Sequence, residues 1–430
     1  MLWLRPEERF GIAGVGRAWT FTASGRDRFA SAESAWRSVC GGAVVGGGSR
    51  GPVALYGFAF EHGGDGWEGY PSALVVTPRV SLHWSGGEAR LMLAAVVAPD
   101  QTAAQAAAPT LACLRLYEDT GEGTRGSTRA AAASEMEPAV LLGEFPAAAI
   151  WKRSVEETAQ AVRHGRLQKA VLARGITIRG ARLDPAAALH RLRAEYPDCT
   201  IFAIGRGDRC FLGASPERLV RVRDGEVAVS ALAGSAPRGR TEAADRALGL
   251  RLLRSEKERL EHRLVVDVLR SALAGVSNAL SPETVPQLLT IRNTHHLHTP
   301  LHAVLRDKRS VFDLIARLHP TPAVGGVPRA AALAWIRQHE GWDRGWYAGP
   351  VGWVGAGGDG EAAVAIRSGL ITGGHAYLFA GCGIVADSNP RREFAESNWK
   401  LRPLLSALAV TPSRPARGAR TAAVPAPRPA

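Results

Sequence analysis

Two pairs of glutamates have the spacing of residues that share one face of a helix. Glu258 and Glu261 lie three positions apart, and so do Glu393 and Glu396. Such pairs are most often solvated, and neighbouring basic residues could balance them on a surface. If the two helices meet, however, four carboxylates cannot share a site without a cation. Hard oxygen ligands in a site open to substrate favour Mg²⁺.

Lysine is scarce in this chain, and one of the five lysines lies within an apolar run. Lys169 belongs to the segment Gln168–Arg174, which predicts a strand. A lysine in an apolar strand can simply guard the edge of the sheet against aggregation. Glu217, in the turn Ser215-Pro216-Glu217, has the pattern of a plain loop carboxylate when the residues are considered alone.

Four further residues are suited to holding an anionic substrate. Arg367 offers a guanidinium that pairs with a carboxylate through two hydrogen bonds, and Tyr347 offers a hydroxyl donor. The amides of Gly381 and Gly383 allow an anion to approach closely, because glycine has no side chain. A structural role remains open for each of them. Cys382, between the two glycines, has the pattern of a small packing residue rather than a nucleophile.

The sequence from Ser154 to Gly225 predicts a helix followed by strands. The capping box Ser154…Glu157 predicts a helix that begins at Ser154 and ends near His164-Gly165. Side chains alternate across the strand 168–174, so Lys169, Val171 and Ala173 share one face. A second strand covers 200–204, and Asp224-Gly225 predicts a hairpin turn.

The second half of the chain predicts four more helices and four more strands. Apolar spacing predicts one helix over 241–273, and a strand follows that contains His296 and Thr299. The capping box Ser310…Asp313 begins a short helix, and Pro328 is well placed to begin a helix that runs toward Glu340. Strands are predicted at 346–355, 361–371 and 375–386, and a last helix carries Glu393, Glu396 and Lys400 on one side.

Composition excludes several classes of protein. Hydrophobic residues make up 46% of the 430 residues, enough for a large core, and no apolar run reaches membrane-spanning length. The first residues lack the pattern of a signal peptide, so we expect a soluble, cytoplasmic protein. The five cysteines show no CxxC spacing, which argues against a zinc site and against a disulfide framework.

The positive charge of the chain allows a second class of function. The formal net charge is +13, and four of the arginines lie in residues 411–430, where there is no acid. A basic surface binds nucleic acid in many proteins, but it also attracts small anionic substrates. The arginines are scattered and no nucleic-acid-binding motif accompanies them, so nucleic-acid binding is the weaker hypothesis.

Several blocks between Lys169 and Lys400 together resemble the chorismate-utilising enzymes and, within them, the isochorismate synthases. The blocks are His319-Pro320-Thr321-Pro322-Ala323-Val324-Gly325-Gly326, Arg344-Gly345-Trp346-Tyr347-Ala348-Gly349-Pro350, Ala365-Ile366-Arg367-Ser368 and Ala380-Gly381-Cys382-Gly383-Ile384-Val385. The resemblance implies one large α+β fold, with antiparallel β-sheets in the core and helices packed outside. It divides the chain into a β-rich part of the same fold (1–150), a catalytic region (151–410) and a disordered tail rich in Pro, Ala and Arg (411–430). Within the first part, 120–138 has the composition of a loop.

The resemblance also assigns roles to individual residues. It implies that Glu261 and Glu396 bind Mg²⁺ directly, with Glu258 and Glu393 acting through water, and that chorismate is the substrate. It implies that Lys169 is the general base that activates water and that Glu217 is the general acid on the opposite side of the ring. The substrate-binding residues that it implies are Gly234, Ser235, His296, Thr299, Tyr347, Arg367, Gly381, Gly383 and Lys400.

Differences between relatives favour water as the nucleophile. Ala233 stands where aminodeoxychorismate synthases have a lysine, and the block at 319–328 differs from the Pro-Ala-Gly-Thr block of anthranilate synthases, which use ammonia. We therefore expect no glutamine amidotransferase subunit. Salicylate synthases and anthranilate synthase component I remain the alternatives. Tyr347 resembles menaquinone-pathway members more than siderophore-pathway members, although both pathways remain open.

Three residues bear on whether the reaction continues to salicylate. Ala323, Ile366 and Phe379 stand where the relatives that eliminate pyruvate tend to have Thr, Leu and Leu. Because Ala323 lacks the hydroxyl and bulk of threonine, it should hold the enolpyruvyl group less firmly. We expect isochorismate to be released before pyruvate is lost.

Overall fold

The computed structural model describes residues 1–48, 51–62, 67–123, 139–180, 183–282 and 285–410. In these residues the chain forms β1 (Leu2–Arg5), β2 (Phe10–Val15), β3 (Trp19–Ala23), α1 (Arg28–Gly41), β4 (Val53–Phe58), β5 (Ala73–Thr77), β6 (Val80–Ser85), β7 (Glu88–Leu93), α2 (Ala103–Gly123), β8 (Val140–Phe145), α3 (Ala148–Arg163), β9 (Lys169–Arg179), α4 (Pro185–Glu195), β10 (Thr200–Arg206), β11 (Arg209–Ser215), β12 (Arg218–Arg223), β13 (Glu226–Pro237), α5 (Glu242–Arg254), α6 (Glu256–Ala274), β14 (Ser277–Leu280), β15 (Gln287–Ile291), β16 (Thr294–Leu305), α7 (Val311–Leu318), β17 (Gly326–Val327), α8 (Arg329–Glu340), β18 (Pro350–Gly355), β19 (Gly360–Val364), β20 (Ser368–Thr372), β21 (His375–Ile384) and α9 (Pro390–Ala407).

The strands form two large antiparallel sheets. The first sheet has the order β17-β9-β21-β20-β11-β10-β1-β2-β6-β7, with β8 also paired to β9. The second has the order β14-β16-β13-β12-β19-β18-β4-β5-β3, with β15 paired to β16. Apolar side chains from both sheets form the main core, and helices pack on the outer faces. The predicted α+β fold, with antiparallel sheets inside and helices outside, is confirmed.

Strands from the first part of the chain lie inside both sheets. Strand β1 pairs with β10 and β4 pairs with β18, while β2, β3, β5, β6 and β7 extend the two sheets outward. The strands predicted for 1–150 are present, and helices α1 and α2 lie among them. Helix α2 continues to Gly123, so residues 120–123 of the predicted loop are helical. Residues 124–138 and the tail 411–430 lie outside the described residues.

Strand β9 is buried on both faces, which explains its long apolar run. Leu172 packs in a cluster with Trp151 and Val155 of α3, on the outer face of the first sheet. Ala173 belongs instead to the core between the sheets. The strand begins at Lys169, one residue after the predicted start, and continues to Arg179, beyond the predicted end.

Four predicted elements have different bounds in the structure. Helix α3 begins after Ala147, and Ser154 lies inside it, where its hydroxyl donates to the carbonyl of Ile150. The predicted capping box is therefore wrong, because the apolar face of the helix starts with Trp151, earlier than Ser154. The predicted strand 346–355 begins only at Pro350, since 346–349 forms a turn in which Ala348 has a φ of 63°.

The other two differences are breaks within predicted elements. The helix predicted over 241–273 is two helices, because Ser255 adopts an extended conformation and its side chain accepts a hydrogen bond from the Glu258 amide. The strand predicted over 361–371 is also divided: β19 belongs to the second sheet and β20 to the first. Between them Arg367 adopts a φ of 51°, a conformation that side chains rarely take and that is common at functional sites.

Candidate active site

Lys169 and Glu261 form a buried ion pair where β9 meets α6. Lys169 is fully buried, and its Nζ lies 2.9 Å from Glu261 Oε1. Although that distance is short, Nζ has no hydrogen-bond partner of acceptable angle among the described residues. Burial favours the neutral form of Glu261, but Lys169 outweighs it and lowers the pKa of that carboxyl. The lysine therefore keeps donor capacity toward the interior of the site.

Two glycines of β21 permit the close approach of these side chains. Gly383 pairs with Val171 of β9, and a Cβ on Gly383 would lie 2.1 Å from Glu261 Oε1 and 2.8 Å from Lys169 Cε. Any larger residue would displace the ion pair. A Cβ on Gly381 would lie 3.1 Å from the Tyr347 hydroxyl. Both predicted glycines therefore line the same interior as Lys169 and Tyr347.

The two predicted glutamate pairs meet around lysines. Lys257 Nζ lies 2.9 Å from Glu393 Oε1 and 3.5 Å from Glu258 Oε1, so one ammonium joins α6 to α9. Lys400 Nζ lies 2.7 Å from Glu396 Oε1 and donates to the carbonyl of Gly381 over 2.9 Å. The two helices therefore meet, which is the condition that the sequence left open, and the pairs are not solvated faces.

The carboxylates are crowded enough to perturb one another. Burial and the neighbouring Glu261 raise the pKa of Glu258 to about 7. Burial and Glu396 likewise raise the pKa of Glu393. Carboxylates that repel one another in a buried site are stabilised by a cation. The oxygen-rich donor set fits a hard divalent cation at this place.

Cys382 lies beside the carboxylates of α9 without acting as a nucleophile. Its Sγ and carboxylate oxygens of Glu393 and Glu396 lie within 4.8 Å of one another. The thiol donates to the backbone carbonyl of Glu393 over 3.3 Å, and burial raises the pKa of Cys382 well above its ordinary value. A thiol held in this way stays protonated and fills space.

Glu217 is buried in a turn that is fixed on both sides. The Ser215 hydroxyl accepts from the Glu217 amide and donates to the carbonyl of Val364 over 2.6 Å, while the Val364 amide donates to the Glu217 carbonyl. Burial raises the pKa of Glu217 to about 8, against the opposing effect of Lys169, Arg367 and Lys400. The carboxyl is therefore protonated at neutral pH and has a proton to donate.

Arg367 and His296 lie together on the substrate-facing side of the sheets. Arg367 Nη2 lies 3.5 Å from His296 Nε2, and its buried Nε has no hydrogen-bond partner in the described chain. His296 Nδ1 lies 2.9 Å from the Ser235 hydroxyl, and burial, together with Arg367, lowers the pKa of His296 well below its ordinary value. A buried guanidinium beside a neutral imidazole suits an incoming carboxylate.

A β-bulge brings Gly234 and Ser235 against the glutamates. The register between β13 and β16 shifts between Ala233 and Ser235, and Gly234 adopts a φ of 79°. The Ser235 amide donates to Glu258 Oε2 over 3.2 Å, and a Cβ on Gly234 would lie 3.2 Å from the same oxygen. The bulge therefore requires glycine and supplies an amide to the carboxylate cluster.

Thr299 is one step removed from the charged residues. Its hydroxyl lies 2.8 Å from His262 Nε2, and His262 Nδ1 lies 3.2 Å from the Ala233 carbonyl. Burial lowers the pKa of His262 to about 4, so the ring is neutral and donates from Nδ1 to that carbonyl. The Thr299 hydroxyl then donates to His262 Nε2. Through these two hydrogen bonds His262 links Thr299 to the strand that carries Ala233.

The ring of Tyr347 packs against other aromatic rings. Its ring centroid lies 5.2 Å from that of Phe379, which in turn stacks on Trp342 and Trp67. Burial raises the pKa of Tyr347 to about 12, so the hydroxyl remains a hydrogen-bond donor. The stacked rings fix the position of the Tyr347 hydroxyl relative to Gly381.

Three residues of the site were not predicted from the sequence. Lys257 joins the two glutamate pairs, His262 supports Thr299, and the buried Thr321 acts through its hydroxyl on the Glu217 carboxyl and lowers its pKa. The signals that could have found them are modest. Lys257 is one of five lysines and adjoins Glu258, and His262 adjoins Glu261.

Comparisons with known proteins agree on one family. The sequence model described as "Chorismate binding enzyme" matches residues 1–409. The chain is 40% identical over 417 residues to a protein of Pseudomonas aeruginosa named "Salicylate biosynthesis isochorismate synthase", which covers 95% of this chain and 84% of that protein. It is 43% identical over 261 residues to "Isochorismate synthase MenF" of Bacillus subtilis, which covers 60% of this chain and 55% of that protein.

A solved structure extends the likeness to three dimensions. The structure described as MenF, the menaquinone-specific isochorismate synthase from Escherichia coli, superposes with a TM-score of 0.77 at 25% identity. The match covers 95% of this chain and 88% of that chain. Separately, no helix among the described residues combines the length and apolarity needed to cross a lipid bilayer.

Proposed function

The chain belongs to the chorismate-binding enzyme family, and we therefore propose that it is an isochorismate synthase that adds water at C2 of chorismate while the C4 hydroxyl leaves. One observation carries the proposal. A buried lysine, Lys169, and a buried carboxyl with a raised pKa, Glu217, act electrostatically on each other across one interior. Water addition with loss of a hydroxyl needs a base that activates the incoming water and an acid that protonates the leaving hydroxyl.

The two residues divide the proton transfers between them. Lys169, as the neutral amine, takes a proton from water as the water oxygen bonds to C2, and both ring double bonds shift. Glu217 gives its proton to the C4 oxygen, which leaves as water. One water molecule enters and another leaves, so the substrate is isomerised without an oxidant or reductant. After turnover the proton must return from Lys169 to Glu217.

The substrate carboxylates have named partners. Arg367, with its unpaired buried Nε, would pair with one of them, and Tyr347 would donate a hydrogen bond from its hydroxyl. Lys400 and the glycine amides of β21 would lie beside the anion. These basic residues are directed inward, so part of the positive charge of the chain serves a small anionic substrate rather than nucleic acid.

We propose Mg²⁺ as the cofactor, held by Glu261 and Glu396, with Glu258 and Glu393 acting through water. The crowded carboxylates described above are the observation that supports it. When bound, the cation would neutralise carboxylate charge and hold a carboxylate of the substrate. Lys257, Lys169 and Lys400 share the neutralisation of the same cluster.

Water, rather than ammonia, is the proposed nucleophile. Ala233 leaves room for a small nucleophile, and its carbonyl is held by His262. No glutamine amidotransferase subunit is then required. The product would feed menaquinone synthesis or the synthesis of salicylate-type siderophores, since relatives named for both menaquinone and salicylate match this chain.

We expect incubation with chorismate and Mg²⁺ to give isochorismate in equilibrium with chorismate, with little salicylate or pyruvate. Ala323 is only partly buried beside the core and has no hydroxyl to fix the enolpyruvyl group. NMR identifies the product, and lactate dehydrogenase reports pyruvate after equilibrium is reached. Pyruvate formed as fast as chorismate disappears would assign the protein to the salicylate synthases. Ala323→Thr is the matched variant, in which we expect more pyruvate.

The kcat should fall as the pH rises above about 8. Glu217 must be protonated to act as the acid, and its pKa is raised to about 8, so the competent form predominates below that pH and is lost above it. The rate should then fall by about tenfold per pH unit. Measuring kcat in saturating chorismate from pH 6 to 10 checks this. A kcat that stayed level to the end of that range would contradict the assignment.

A further inference from the structure

One edge of β9 lacks a strand neighbour beside the catalytic lysine. Along its other edge β9 pairs continuously with β21. Along this edge it pairs with β17 at Lys169 and Ala170, and with β8 only from Gly175 onward. Among the described residues no strand pairs with 171–174 on this side. Backbone groups left there without partners would be costly, because the strand is buried.

The Val171 amide donates to the Gly325 carbonyl over 2.8 Å, and one buried ion pair supplies the partners of the Val171 carbonyl and the Ala173 amide. Glu340, the last residue of α8, accepts from the Ala173 amide over 2.7 Å. Arg344 Nη2 donates to the Val171 carbonyl over 2.7 Å and also contacts Glu340 Oε1, while its Nε donates to Glu340 Oε2 over 2.8 Å. Glu340 and Arg344 are 4% and 3% exposed, so the contacts are shielded from water.

The same pair reaches two other parts of the site. Arg344 Nη1 donates to the Val324 carbonyl over 2.8 Å, which holds the segment that contains Ala323. The Arg344 carbonyl accepts from the Tyr347 amide over 2.9 Å. The pair is therefore connected to the strand of the base, to the segment that bears on product choice, and to the turn of the substrate hydroxyl donor.

We propose that Glu340 and Arg344 are positioning residues, which replace the missing strand beside β9 and thereby hold Lys169 in line with the water it activates. The role in catalysis rests on the proposed function, whereas the role as a strand substitute does not. All three guanidinium nitrogens donate, and together they reach four oxygens: both carboxylate oxygens of Glu340 and the carbonyls of Val171 and Val324. Lysine has one nitrogen and cannot make these bonds together.

The main test compares two double variants that leave no buried charge. Arg344→Met/Glu340→Leu removes every bond to β9, and replacing a buried pair by apolar residues often preserves the fold. Arg344→Met/Glu340→Gln keeps an amide oxygen for the Ala173 amide. We expect the first to lower kcat by about 10²-fold, with KM within about threefold of wild type. We expect the second to recover part of that loss.

Hydrogen exchange gives a readout that does not depend on activity. The Ala173 amide should exchange faster in the Met/Leu variant and be protected again in the Met/Gln variant. If wild-type protein fails to make isochorismate, the proposed function is wrong, yet this comparison still decides whether the pair holds β9. Unchanged exchange in both variants would overturn the proposal.

The control is a destabilised variant in α4, a helix that carries none of the site residues. Leu192→Ala removes a fully buried side chain from an apolar cluster that includes Ile201 and Leu212, and should lower Tm without lowering kcat at a temperature well below Tm. An equal loss of kcat at an equal loss of Tm would show that stability alone explains the effect. Should the double variants not fold, Arg344→Lys carries the test, because it keeps the charge but loses the bonds to Val171 and Val324. A wild-type kcat in Arg344→Lys would overturn the proposal.

Discussion

Replacing Lys169 by alanine is expected to lower kcat by about 10²–10⁴ while chorismate still binds, because a positioned base contributes that much to a proton transfer. Glu217→Gln is expected to have a similar effect, since the amide has the shape of the acid and no proton to give. Lys169 is fully buried beside Glu261, and the Glu217 turn is held by Ser215. We therefore expect no neighbouring side chain to take over the role of either residue in the variants.

The controls separate lost chemistry from lost structure. Lys308→Ala removes an exposed lysine and Glu242→Gln neutralises an exposed glutamate, and both should leave kcat unchanged. Circular dichroism and equilibrium binding of chorismate check that the two active-site variants fold and still bind. If either variant turned over at nearly the wild-type rate, the role given to that residue would be wrong.

Removing the cation is the second change with a large expected effect. EDTA should abolish turnover, added Mg²⁺ should restore it, and Glu396→Gln should reproduce the loss. Three lysines already balance part of the carboxylate charge, so we expect the metal-free protein to remain folded. The defect should therefore appear in turnover and not in the circular dichroism spectrum.

A neighbouring glutamate provides the matched control for the metal experiment. Glu256 lies in the first turn of α6 but is exposed, so Glu256→Gln should keep full activity and the same Mg²⁺ dependence. Magnesium titration followed by initial rate, with calorimetry of the wild type and of Glu396→Gln, measures both properties. Full activity in metal-free buffer would refute the proposed cofactor.

Local spacing was sufficient to predict some parts of the fold and of the candidate site. The three-residue spacing of the glutamates places each pair on one helix face, and the alternation of β9 places Lys169 and Ala173 on the inner side. The caps of α7 and α9 also follow from nearby residues: Ser310 accepts from Asp313, and Asn389 accepts from Arg391. Each of these features depends on contacts within a few positions.

Other features were not predicted. The break between α5 and α6 has a local signal, the capping box Ser255…Glu258, but the apolar spacing that continues across Ser255 hides it. The remaining features depend on residues that are distant in sequence. The division of 361–371 between two sheets follows from which strands pair with β19 and β20, and no local pattern encodes that choice. For the same reason the sequence did not reveal that Lys257 reaches Glu393.

The pairing of the earliest strands with late ones constrains how this chain is made. Trp3 of β1 lies opposite Phe202 of β10, and Leu55 of β4 lies opposite Trp353 of β18. Loop closure over such separations must precede the contacts that stabilise it, which slows folding. Neither sheet is complete while the ribosome is still synthesising the middle of the chain. The amino-terminal strands therefore have unpaired edges until their partner strands have been synthesised.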